Sequence, residues 1–185
     1  MRRIRETLVF GLCLALLFCY AASAKAESQT IIGGGSAVVR LDFRITIPTI
    51  LHLQVGSLAA TVDRITFPVT DLPGTGAVAG TSSGTNPVPV RVAALVGAAT
   101  NVTLTADSST ALDDGSGNNI PFTEILWTAS GSFTGNTFNG TNNQQLDQFI
   151  GPGNRTGTYT FSYANANYYP NGTYDGTVTY TLTSP

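Results

Sequence analysis

Val39-Arg40-Leu41-Asp42-Phe43-Arg44-Ile45-Thr46-Ile47 alternates without a break. Val39, Leu41, Phe43, Ile45 and Ile47 fall on one parity, and Arg40, Asp42, Arg44 and Thr46 fall on the other. Successive side chains of a β-strand point to opposite faces, so this is the pattern of a strand with one dry and one wet face. Nine residues of strand span about 30 Å. Burying five such side chains stabilises by on the order of 8–15 kcal/mol, an upper bound. The odd face is therefore predicted to enter a sandwich core, with Phe43, the bulkiest of the five, as its central anchor. It completes either the sheet of its own domain or that of a neighbouring copy, and the sequence leaves both open.

The residues before it read as an address. Arg2, Arg3 and Arg5 form a basic start, and Leu8 to Ala22 is apolar. Ala22-Ser23-Ala24 and Ala24-Lys25-Ala26 are two small-x-small cleavage sites. Together they predict a signal peptide over residues 1–26. The apolar run is short beside the roughly 20 residues of a spanning helix, and no second run follows. No stable membrane span is expected after cleavage, and the expected destination is secreted or cell-surface, by way of the periplasm. Residues 27–36, ending in Gly33-Gly34-Gly35, read as a flexible lead-in. Residues 37–185 then form a single domain, long enough for a core without covalent staples. Such staples are missing: both cysteines, Cys13 and Cys19, lie in the signal segment.

Charge excludes one partner class. Beyond Ala26 five arginines face ten acids, so nothing attracts a phosphate backbone and no nucleic acid binding is expected. The only lysine, Lys25, also lies in the signal segment. Lysine is a common device for blocking exposed strand edges, so its absence from the domain leaves edge pairing open.

Short strands fill the rest of the chain. Pro48 interrupts the first, and Ile50 to Val55 resumes its parity. Thr61 to Phe67 is a further strand candidate, and Thr70 to Pro87 reads as loop. Val88, Val90 and Val92 alternate, with Pro87 and Pro89 placing that strand at a sheet edge or a sheet entrance. Val102, Leu104 and Ala106 alternate again. Asp113 to Asn119 is a turn, Ile120 to Thr128 carries Phe122, Ile125 and Trp127, and the polar run Ser130 to Asn143 reads as an exposed loop or a loose hairpin. Six of the seven tyrosines fall between Tyr159 and Tyr180. Tyr159, Phe161 and Tyr163 alternate, as do Val178, Tyr180 and Leu182 with Thr177, Thr179, Thr181 and Thr183. The two segments are expected to pair as antiparallel neighbours. No helical apolar period occurs after the signal segment, and about seven to eight short strands between Gly, Pro and Asn turns predict an all-β, antiparallel β-sandwich of immunoglobulin-like type.

The ending Gly172 to Pro185, GTYDGTVTYTLTSP, resembles the last strand of secreted bacterial immunoglobulin-like subunits, among them spore coat protein U-type domains and archaic chaperone–usher pilins. Val39 to Ile47 resembles the N-terminal donor segment of such pilins. The resemblance implies a fimbrial, structural subunit. Its partners would be copies of itself or related subunits and a periplasmic chaperone, and the strand would be lent to a neighbour's sandwich. Carried over by position, the inserting residues are Val39, Leu41, Phe43, Ile45 and Ile47. The chain departs from the pattern in lacking the intradomain disulfide common in these pilins. Its donor-like segment is also separated from the next strand only by Pro48-Thr49, and both departures leave self-pairing open.

Residues that could carry chemistry form no constellation. His52, the only histidine, has no readable triad or metal partners. Asp113-Asp114-Gly115-Ser116-Gly117-Asn118-Asn119 is oxygen-rich, but glycines stand at alternate positions where a calcium loop needs side-chain oxygens, so a hairpin turn is expected. Asp63, Asp71, Asp107, Glu124 and Asp147 show no spacing that selects a glycosidase pair. Asn101, Asn139, Asn154 and Asn171 lie in sequons that matter only in a glycosylating host. No catalytic residue, metal or cofactor is therefore predicted, and no enzyme activity. The alternative to a structural subunit is a self-contained, adhesive, carbohydrate-binding module. Trp127, Tyr168 and Tyr169 would be its stacking residues.

Overall fold

The computed structural model describes residues 28–58 and 61–185. The signal segment predicted over residues 1–26 lies outside them. The chain divides between Thr46 and Ile47 into two units, later than the boundary at residue 37 read from the sequence.

In the first unit, residues 28–46 carry no strand and bend at residues 32–34. Gly33, Gly34 and Gly35 all take positive φ, a backbone that side chains disfavour. Beyond that bend the Val38 amide donates to Gln29 Oε1 at 2.9 Å.

The second unit is all-β, with seven strands of five or more residues and six two-residue ones. Its larger sheet contains β1 (Ile50–Val55), β5 (Val88–Leu95), β12 (Gly153–Tyr163), β9 (Ile125–Gly131) and β10 (Asn136–Thr137), in that order, with β3 (Val78–Ala79) on the far end of β12. The smaller sheet is β11 (Gln144–Ile150), β6 (Asn101–Asp107) and β13 (Thr179–Thr183). Two short ribbons complete the unit. They are β2 (Ile65–Thr66) with β4 (Thr81–Ser82), and β7 (Leu112–Asp113) with β8 (Asn119–Ile120). Every ladder is antiparallel.

The alternating valines are the reason these strands sit where they do. Val88, Val90 and Val92 point inward from the larger sheet, and Val102, Leu104 and Ala106 point inward from the smaller one. Tyr159, Phe161, Tyr163, Ile125 and Trp127 close the same core. Trp127 packs on Phe138, Tyr159 and Phe161 with ring centroids 4.6, 5.7 and 6.4 Å apart, tilted geometries that aromatic quadrupoles favour. Two sheets thus enclose one apolar layer, a β-sandwich arrangement.

Several local expectations change in three dimensions. The strand expected over Thr61 to Phe67 shrinks to Ile65–Thr66. The prolines mark an entrance and not an edge: β5 lies between β1 and β12. Pro89 O accepts from the Gly56 amide at 2.8 Å just where β1 ends. A residue's N–H and C=O share one side of a strand, so the N–H that Pro89 lacks falls where the β1 ladder has already stopped. The Tyr-rich segments are not neighbours. Tyr159 to Tyr163 belongs to β12 in the larger sheet, and Tyr180 and Leu182 belong to β13 in the smaller. The polar run Ser130 to Asn143 includes the β9–β10 hairpin and buries Phe133 and Phe138.

The two ends of the sandwich differ in chemistry. At one end lie the start of β1, the 96–100 and 151–152 turns, and the end of β13, since Ile50 pairs with Leu95 and Thr183 with Thr103. The Gly151 amide donates to Thr100 O at 2.8 Å, tying the two turns together. Residues 92–100 and 149–154 contain no charged side chain. The opposite end carries Asp107 at the close of β6, the Asp113–Asp114 turn, and Asp175 bridged to Asp113.

Candidate functional site: an unpaired alternating segment and two open strand edges

Val39, Leu41, Phe43, Ile45 and Ile47 are the longest run of regularly spaced exposed apolar side chains among the described residues. Their exposures are 56, 76, 86, 86 and 71%. No ladder includes any of them. The sequence leaves open whether this face completes its own domain or a neighbouring copy; among the described residues Phe43 is exposed and takes part in no ladder. The sequence pattern says what the segment is suited to, while the partner that would satisfy it is a separate matter. Left in water, such a face forfeits about 25 cal/mol for each Å² of apolar surface it could have buried.

The second unit has edges of matching chemistry. Among the described residues β1 pairs only with β5, and β13 only with β6. The two come within 8 Å of each other from opposite sheets, so they border the same side of the sandwich. Leu51, Leu53 and Val55 share the parity that pairs with Ala94, Val92 and Val90, all buried. Tyr180 and Leu182 share the inward parity of β13. Leu53, Val55, Tyr180 and Leu182 pack on the core yet stay only half-buried, and Leu51 is exposed. Among the described residues no strand pairs with the outer side of either edge, and such an edge is the template on which a further strand adds. Burial pushes the Tyr180 hydroxyl well above its ordinary pKa, with Tyr159 adding to the effect, and the Tyr159 hydroxyl is itself pushed up to about 12 by burial and then by Asp147. Both tyrosines are therefore neutral at any physiological pH.

The aromatic platform is not assembled. Trp127 is 3% exposed and its Nε1 donates to Thr134 O at 3.3 Å, so it cannot stack on a sugar. Tyr168 is 78% exposed. Tyr169 is half-buried, and its hydroxyl donates to Glu124 Oε1 at 3.4 Å. The Tyr169 pKa is raised by burial and by the Glu124 carboxylate.

His52 is exposed opposite Ala93 on β5. Among the described residues no three His, Cys, Asp or Glu side chains lie close enough to hold a metal ion. The Asp113–Asn119 carboxylates are consumed by their own turn. Asp113 accepts from the Gly115 amide. Asp114 accepts from the Ser116 and Asn118 amides at 2.8 and 3.0 Å and from Asn118 Nδ2 at 2.7 Å. Those bonds hold the Asp114 pKa below the ordinary carboxylate value, as Ser57 does for Asp63 and Ser109 for Asp107.

One polar cluster had no sequence signal. Glu124 is buried in a 3-10 turn over Phe122–Glu124, and its Oε1 accepts from Asn167 Nδ2 and Tyr169. Its backbone carbonyl accepts from the Ala164 amide at 2.7 Å. These contacts fasten the chain after β12 to the core. Their partners are forty or more residues apart, which no local pattern records. Compared with family models, curated proteins and solved structures, the chain matches none.

Proposed function

We propose that this chain is an exported, immunoglobulin-like structural subunit of a surface fibre, coat or matrix, and that copies link by lending Val39–Ile47 to a neighbour's open edge. The observation that carries the reading is a strictly alternating segment whose whole apolar face is exposed. Two half-covered edge strands, β1 and β13, border the same side of the sandwich and supply a compatible acceptor. Strand addition provides both parts of recognition: main-chain hydrogen bonds for affinity, and alternate side chains for register. The reading calls for no cofactor, no nucleic acid and no catalysis. A periplasmic chaperone would be needed only to shield the segment before assembly. The carbohydrate-binding alternative loses its largest ring with the burial of Trp127.

Size analysis and negative-stain microscopy of the natively exported chain test the reading. Serial species are expected, and Phe43→Asp should abolish them while leaving a folded monomer. A peptide covering Ser36 to Ile47 should cap the growing end and shorten the series. A wild-type chain that stays monomeric when concentrated overturns the proposal.

A further inference from the structure

We infer that the uncharged end of the sandwich, formed around Ile50, Leu95 and Ile150, is a second contact surface for a neighbouring copy. The inference rests on the strand-lending reading and goes beyond it, because it concerns the body of the donor and not its segment.

The argument begins with reach. Only Pro48 and Thr49 separate Ile47, the last residue of the alternating face, from Ile50, the first residue of β1. From Ile47 to Ile50 is three residue steps, at most about 11 Å of extended chain, and proline removes one of the soft torsions. A copy that holds Ile47 in its edge is therefore brought almost against the end of the sandwich from which β1 starts. No flexible spacer lets the two bodies stand apart.

The chemistry of that end suits close contact. Ile50 and Leu95 are directly opposite each other in the β1–β5 ladder, and they are 47 and 44% exposed. Ile150, at the end of β11, is 67% exposed and shares the outward parity of Asn101 on the smaller sheet, so it borders that end from the face opposite Ile50 and Leu95. Gly97, Ala98, Ala99 and Pro152 are also exposed there. Small and aliphatic side chains with no charge among them lose little on desolvation, whereas charged groups left unpaired lose much. The other end of the sandwich, with Asp107, Asp113, Asp114 and Asp175, has the opposite character. The occupant is thus a second copy of this chain, and the stretch Pro48-Thr49 is the tether that places it.

The chain purified after native export provides the test, since its only two cysteines lie in the signal segment. Ile150→Cys is labelled with a polarity-sensitive dye, and Thr160→Cys, exposed on the outer face of β12, serves as control. On serial linkage the dye at position 150 should shift to the blue, and the dye at position 160 should not. Leu95→Asp combined with Ile150→Asp should keep the melting temperature and the linkage yet turn a stiff joint into a hinge in small-angle scattering. Linked copies with an unshifted dye and an unchanged joint overturn this inference and leave strand lending intact. Failure of the unlabelled wild type to link overturns both.

Discussion

Arg155 on β12 reaches across the core to Asp147 on β11, Nε to Oδ2 3.1 Å, and so joins the two sheets. The same guanidinium donates to Ser132 O at 2.9 Å and Gln148 O at 3.3 Å and lies 5.6 Å from the centre of the Phe149 ring. Sequence parity alone puts this cation inward: Arg155 is opposite Val92, which is fully buried. A charge in that position persists because a carboxylate lies beside it and two backbone carbonyls accept from it.

Arg155→Met should destabilise the sandwich by about 2–3 kcal/mol, less than for a fully buried pair because the arginine is partly wet. The pH dependence carries the sign of the cause. Burial raises the Asp147 pKa and Arg155 lowers it, so removing Arg155 raises it further. A carboxyl whose folded pKa is above its unfolded value stabilises most at low pH, and loses that as pH rises through the folded value. Urea titrations at pH 4 and pH 7 should therefore show a larger penalty for Arg155→Met at pH 7. An equal penalty at both would mean that the lost packing on Phe149, and not the lost charge, sets the cost.

Phe43→Asp should leave the melting temperature of the monomer unchanged, within roughly 0.5 kcal/mol of stability, because Phe43 is an exposed residue in the isolated chain. Leu104→Ala, at a fully buried position of β6, should cost about 2–5 kcal/mol. Chemical denaturation of the two variants side by side is the measurement. Equal losses would place Phe43 in a core.

Trp127→Ala should cost about 3–5 kcal/mol through the cavity it leaves among Phe138, Tyr159 and Phe161. Tyr168→Ala should be nearly silent in stability. On a glycan array neither the wild type nor Tyr168→Ala is expected to bind. Binding that disappears with Tyr168→Ala would revive the carbohydrate reading on that ring alone.

Acid should loosen two turns before it unfolds the sandwich. Asp63 accepts from the Ser57 amide at 2.6 Å and its hydroxyl at 2.7 Å, and Asp114 holds the 114–118 turn. Both pKa values are lowered by these bonds. Stability from a lowered carboxyl is present above its unfolded value, near 3.8, and is lost as pH falls through the lower folded value. Amide exchange at Ser57 and Ser116, corrected for intrinsic pH dependence, should quicken below about pH 3.8, while Val92 and Leu104 stay protected. Simultaneous loss at all four would make the turns part of the global transition.

Strands were legible where alternation was strong and local. The parities of Val88 to Val92 and Val102 to Ala106 put the same residues in the core that the structure does. Pairing was less legible, because Tyr159 to Tyr163 and Tyr180 to Leu182 carry the same Tyr/Thr rhythm and fit either sheet equally well. Phe133 and Phe138 stand singly among Gly, Asn and Thr, so no period marks them as buried. The segment Val39 to Ile47 shows the limit most clearly. Its pattern specifies a face that needs covering, and a pattern within one chain carries no information on which chain covers it.

The concentration of carboxylates at one end of the sandwich gives each copy an electrical polarity along its strands. Two copies that meet acidic end to acidic end repel, while the neutral end presents no such barrier. Acidic-to-acidic encounters in dilute buffer are thereby disfavoured, and the effect fades once salt shortens the screening length to about 8–10 Å. A series linked by the proposed strand lending would run one way along its length, with two chemically distinct tips.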